Sequence, residues 1–187
     1  KSTSVSTFNN AGGDNLWSNA ANWSDGIPNV DTAKVTVYSD LTVDSSVTVA
    51  QIKMSNATSD ASVTITADND AILTFTGAGV TQPIQNNKQS SSFIFNLPVV
   101  FDSSEDAVET LRLNSGGDQQ VTFLSSLTLN DELTVSGKNK LHDLNLNGSL
   151  LGAGNLKFGD KVQANFGTAY DGSAHTGDII VAGTGTD

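Results

Sequence analysis

A chain of 187 residues is long enough to bury a substantial core within one domain. Its formal net charge of −11, from 20 acids against 9 bases, works against nucleic acid and anionic membranes as partners. The absence of cysteine excludes a disulfide-stapled scaffold and thiolate metal sites, and no stretch approaches the length of a membrane-spanning helix.

Residues 1–34 hold both tryptophans, Trp17 and Trp23, among dense Asn, Gly and Asp. They are read as an N-terminal cap segment, and residues 35–187 as one continuous strand-built body. From Val35 onward the chain repeats a triplet in which a threonine is flanked by two apolar residues. The copies begin at Val35, Leu41, Val47, Val63, Leu73, Val121, Leu127 and Leu133. Strand side chains alternate between faces, so each triplet buries its flanks and exposes its threonine.

Val35, Leu41 and Val47 start six residues apart, and so do Val121, Leu127 and Leu133. Three residues between strands are too few for most sandwich connections but enough for the corner of a solenoid. The fold predicted is all-β, a single-stranded parallel β-helix with an aromatic cap; a β-sandwich or jelly roll is the alternative. Gly77 to Ser92 is polar and aperiodic and reads as a loop projecting from the core. Strand signals resume at Phe93 and Val99. Ser104 to Leu113 is the one stretch with room for a short helical turn. Further strands are expected at Leu144–Leu146, Leu156–Phe158 and Ile179–Val181, with glycines between them.

Two stretches resemble known extracellular proteins. Leu16-Trp17-Ser18, Ala21-Asn22-Trp23-Ser24, Gly26, Pro28 and Asp31-Thr32-Ala33 resemble the W-S…N-W-S-x-G-x-P opening of bacterial β-helical surface proteins. Leu150 to Leu156, followed by Asn165-Phe166, Tyr170-Asp171-Gly172 and Gly177 to Val181, is similar to the lines of autotransporter-associated β-strand repeats. The usual Thr-Gly-Gly-Thr is replaced by Ser173 to Asp178. The resemblance implies a right-handed β-helix, secreted or displayed on a bacterial cell surface, as a module of a larger protein. It brings no shared catalytic residues.

Candidate binding residues are Trp17 and Trp23, whose indoles would stack on sugar rings or else cover the first coil, and Gln82, Gln85, Asn86, Asn87 and Gln89 in the polar loop. His142 and His175, the latter paired with Tyr170, have the chemistry of an acid or base. The sole arginine, Arg112, leaves little to neutralise a uronate substrate in a lyase cleft, so solvated loop histidines are the preferred reading. Asp68-Asn69-Asp70 and Glu105, Asp106 and Glu109 are oxygen donors that would suit structural Ca2+. Neither follows the EF-hand pattern; no metal site and no cofactor are expected. Asn22, Asn56 and Asn147 begin Asn-x-Ser/Thr sequons that chance explains in so Asn-, Ser- and Thr-rich a chain.

The sequence thus points to a non-catalytic extracellular module with polysaccharide and the neighbouring domains of a larger chain as partners. The alternatives are a structural stalk or passenger segment of a surface adhesin and, third, a polysaccharide lyase or glycoside hydrolase.

Overall fold

The computed structural model describes residues 4–55, 62–86, 92–103, 109–113 (backbone only), 120–137 and 142–184. After β1 (Val5–Phe8) the chain winds in coils of three short strands. The first coil is β2 (Lys34–Val37), β3 (Leu41–Val43) and β4 (Val47–Val49); the second is β5 (Gln51–Met54), β6 (Ser62–Ala67) and β7 (Leu73–Phe75). Next come β8 (Ile84–Asn86), β9 (Ser92–Asn96) and β10 (Val99–Phe101), then β11 (Glu109–Leu113), β12 (Gln120–Phe123) and β13 (Leu127–Leu129). The last coils are β14 (Leu133–Gly137), β15 (His142–Leu146) and β16 (Leu150–Leu151), then β17 (Leu156–Phe158) and β18 (Val162–Phe166), with β19 (Ile179–Val181) opening one more.

Every strand stacks on its counterpart in the next coil. The first sheet runs β1-β2-β5-β8-β11-β14-β17-β19, the second β3-β6-β9-β12-β15-β18 and the third β4-β7-β10-β13-β16. All strand pairs are parallel, which makes the protein a three-sided β-solenoid of about six turns and rules out the sandwich. The six-residue spacing has a simple cause. The triplets at Val35, Leu41 and Val47 are the three sides of one turn, with three-residue corners after Val37 and Val43 and Ala50 alone between β4 and β5.

Alternation does the rest. The flanks of all eight triplets are buried, whereas each threonine between them keeps part of its surface in solvent. Each buried Val, Ile, Leu or Phe contributes roughly 1.5–3 kcal/mol. Because the register is parallel, like residues fall on like residues in successive turns. Phe75 stacks on Phe101 with ring centroids 5.1 Å apart, and Phe95 on Phe123 at 5.2 Å. On the first sheet the step is regular late in the chain: Leu133 pairs with Leu156 and Leu156 with Ile179, each 23 residues on (156 − 133 and 179 − 156).

The abundance of Asp and Asn has a structural use at the corners. There an Asx side chain accepts a backbone N–H from an adjacent turn that no ladder reaches. Asp40 Oδ1 accepts from Thr64 at 2.8 Å, Asn155 Oδ1 from Asp178 at 2.9 Å and Asp160 Oδ1 from Thr184 at 2.6 Å. Buried or bent backbone donors need such partners.

Residues expected to form a cap are continuous with the solenoid. β1 extends the first sheet in register with β2, and Trp17 N–H donates to Thr42 O while Thr42 N–H donates to Asn15 O, adding a rung beside β3. At the other end, Ile179 and Val181 stand in register with buried Leu156 and Phe158 yet are 44% and 66% exposed.

Two local expectations are corrected. The polar stretch within Gly77 to Ser92 is interrupted by β8, in which Ile84 fills the inward rank next to Ile52. One apolar residue beside Gln85 and Asn86 gave no alternation to read. The helical turn expected within Ser104 to Leu113 is strand β11 over Glu109–Leu113; the remainder lies outside the described residues. No α-helix occurs among the described residues, and none is long and apolar enough to cross a membrane.

Candidate functional site

The tryptophans come first, because their indoles were candidates to meet a ligand. Trp17 is 1% and Trp23 5% exposed, with ring centroids 4.8 Å apart, and Phe8 packs edge-on to Trp23 at 5.1 Å. Trp17 Nε1–H donates to Pro28 O at 3.0 Å and Trp23 Nε1–H to Trp17 O at 2.7 Å. Both faces and both polar edges are consumed internally, so neither ring is offered to a sugar.

Asn22, fully buried, donates to Asp14 Oδ1 at 2.6 Å and to Leu16 O at 2.9 Å, and its Oδ1 accepts from Gly12 N–H at 2.8 Å. Ser24 Oγ accepts the N–H of Thr7 at 3.0 Å. The Asn-Trp-Ser stretch is therefore the pin of the first rung. A buried Asn22 is also no glycan acceptor.

The polar candidates disperse. Asn86 is buried in β8, Gln82 and Gln85 are half-buried, and Asn87 and Gln89 lie outside the described residues. Gln85 stands in register with Lys53 on the outer face of the first sheet, within the stretch where a projecting loop was expected. His142 is buried at the start of β15, whereas His175 Nε2 lies 2.7 Å from Gly154 O at a corner. Burial, and secondarily the charge of Asp171, holds the Tyr170 phenol above its ordinary range. Asp68 and Asp70 are exposed in a turn, while Glu105 and Asp106 lie outside the described residues, as does the side chain of Glu109. Among the described residues no three His, Cys, Asp or Glu come together as a metal site.

What the fold does assemble is a groove of about 380 Å3 on the second sheet toward its C-terminal end. Its floor is a polar ladder. Thr122 on β12, Asn145 on β15 and Asn165 on β18 are in register in three successive turns. Asn145 Nδ2–H donates to Thr122 Oγ1 at 3.0 Å, and Asn165 Nδ2–H donates to Asn145 Oδ1 at 2.8 Å. The wall is apolar: Leu124 is 40% and Phe166 46% exposed, and the Phe166 ring meets Tyr170 edge-on at 4.7 Å. Asn147 anchors the rim by accepting the N–H of Ala169 at 3.0 Å.

No family model matches the chain. Searches of curated proteins and of solved structures return no match either. The groove has to be read from its own chemistry. Amides and a hydroxyl held in fixed directions, beside a half-exposed aromatic ring, suit a ligand with hydroxyls on its edge and C–H groups on its face. Single-sequence inspection could not find it, because it depends on which residues share a register. Thr122 and Asn145 are 23 residues apart (145 − 122), but Asn145 and Asn165 only 20 (165 − 145).

Proposed function

We propose that the protein is a non-catalytic, extracellular polysaccharide-binding module that holds neutral sugar units in the groove of the second sheet. The observation that carries this reading is the Thr122–Asn145–Asn165 ladder lying beside Phe166. Sugars present that combination of an equatorial hydroxyl edge and an apolar face, and a ladder fixed by the solenoid gives up little side-chain entropy on binding. The secreted or cell-surface setting rests on the resemblance of the opening and closing stretches.

Affinity electrophoresis through gels containing neutral glucans, mannans and xylans tests the reading. Retardation by at least one polymer, lost in Phe166→Ala and Asn165→Ala, is the expected result. Free migration in every gel would overturn it.

A second reading, a stalk segment of an elongated surface protein, is supported by the unbroken stacking of eight strands along the first sheet. Under that reading no polysaccharide is retained.

A further inference from the structure

We infer that the outer face of the first sheet is a second carbohydrate surface, which takes an acidic polysaccharide, a polyuronate lying along the solenoid axis. The chain as a whole is acidic, but its bases are sorted. Among the described strands every lysine or arginine belongs to this sheet: Lys34 on β2, Lys53 on β5, Arg112 on β11 and Lys157 on β17. The strands of the second sheet carry one acid, Asp143, and no lysine or arginine; those of the third carry no charged residue.

Register groups these bases into two neighbouring ranks. One rank runs Thr36, Lys53, Gln85, Arg112, Ser136. The other holds Lys34 beside Gln51 on the early strands, and Thr134 beside Lys157 further along. No aspartate or glutamate occupies either rank; Glu109, the one acid in a strand of this sheet, is in register with buried Leu133. No ion pair ties Lys34, Lys53 or Lys157 to a carboxylate among the described residues.

Spacing fits a polymer with well-separated charges. Lys53 and Arg112 are two strands apart, as are Arg112 and Lys157, which at the usual interstrand distance is about 9.6 Å along the axis. From β2 to β17 the stripe covers five interstrand steps, roughly 24 Å. Gln51, Gln85, Thr36, Thr134 and Ser136 lie between the bases and offer hydrogen bonds to hydroxyls. Beside Lys34 the face opens into a groove of about 510 Å3 lined also by Ser4, Val5, Thr32, Ala78 and Gly79.

Charge density decides between polyanions. Duplex DNA carries one charge per about 1.7 Å of axis, and a body of net charge −11 repels so dense a polyanion strongly. A polyuronate, with one carboxylate per sugar, matches sparse bases and suffers less from the surrounding acids. This surface is distinct from the groove of the second sheet, and its existence does not depend on that groove binding anything.

Affinity electrophoresis of the whole chain in polygalacturonate gels, with single-stranded DNA gels alongside, is the test. Retardation by polygalacturonate at about 20 mM salt that weakens steeply as salt is added is expected. Lys53→Gln/Lys157→Gln should raise the apparent dissociation constant by about tenfold or more, and Phe166→Ala should leave it unchanged. Circular dichroism of the variants establishes that they fold, and the salt dependence of the unaltered chain stands without them. No retardation at low salt, retardation undiminished in the double variant, or stronger retention by DNA would each overturn the assignment.

Discussion

Asn165 Nδ2–H donates to Asn145 Oδ1 at 2.8 Å, joining residues 20 positions apart (165 − 145) that the winding of the chain sets side by side. The acceptor also donates, to Thr122 Oγ1 in the turn before, so three turns share one chain of hydrogen bonds on a half-exposed face. Linked bonds of this kind polarise one another and fix the orientation of each amide. The groove is thereby organised before any ligand arrives.

Replacing Asn145 with alanine removes a donor and an acceptor from that chain at once. Half-buried partners lose their bonds but regain some water, so a destabilisation of about 1–2 kcal/mol is expected. Urea titration followed by circular dichroism would measure it, with Asn165→Ala, which removes one bond, costing about half as much.

At the opposite end, Trp23→Ala should cost about 3–5 kcal/mol, because it empties a fully packed site between Phe8 and Trp17 and strands the carbonyl of Trp17. Trp23→Phe keeps the edge-to-face packing and loses only the indole hydrogen bond and some volume, so its cost is smaller. Guanidinium unfolding monitored by the emission of the remaining Trp17 reports both. A cost below about 1 kcal/mol for the alanine variant would mean that the first rung is not coupled to the coils beneath it.

The solenoid was legible wherever inward positions are apolar and corners are short. Val35 to Val49 and Val121 to Val135 spell complete or nearly complete turns with no break in pattern, and their spacing favours a coil over a sandwich, which the parallel pairing then excludes. β8 was hidden because Asn86 occupies an inward position and only Ile84 signals the strand. The two roles open to the tryptophans could not be told apart in the sequence, since aromatic residues near Asn and Asp look alike in either; it is the burial of both rings that distinguishes them. The groove and the basic stripe were not legible at all. Thr122, Asn145 and Asn165, or Lys53 and Arg112, are brought together by turns of unequal length, and one uncertain corner displaces every later residue of a rank.

Gly152 and Gly154 test how tightly the turns close. Gly152 has φ 93°, and a Cβ built on it would fall inside the carbonyl of Leu129; one on Gly154 would fall inside that of Asp131. Alanine at either site must push one turn away from the next, at a cost of about 2 kcal/mol or more for Gly152, which also loses its backbone preference. Gly13, whose φ is 75° but which has open space around it, should cost about 1 kcal/mol as alanine, from strain alone. Thermal melts of the three variants separate the close approach from the backbone term.

Acid should loosen the first rung before the coils. The backbone N–H of Leu16, then the side-chain amides of Asn22 and Asn19, hold the Asp14 carboxyl below its ordinary range. A carboxylate whose folded pKa is depressed contributes stability that is fully present above its unfolded value, about 3.9, and is lost as pH falls through the folded pKa. The contribution is thus intact at neutral pH and disappears only in acid below about pH 4. Asp14→Asn cannot titrate there and cannot accept on both oxygens. The gap in stability between the unaltered chain and this variant should be widest near neutrality and close steadily on acidification. Asp171, likewise lowered by the hydroxyl and the backbone N–H of Ser173, lies on the closing coils away from both indoles. Tryptophan emission therefore follows the Asp14 site, and a gap that stays constant from pH 7 down to about pH 2.5 would show that the carboxylate does not hold the rung.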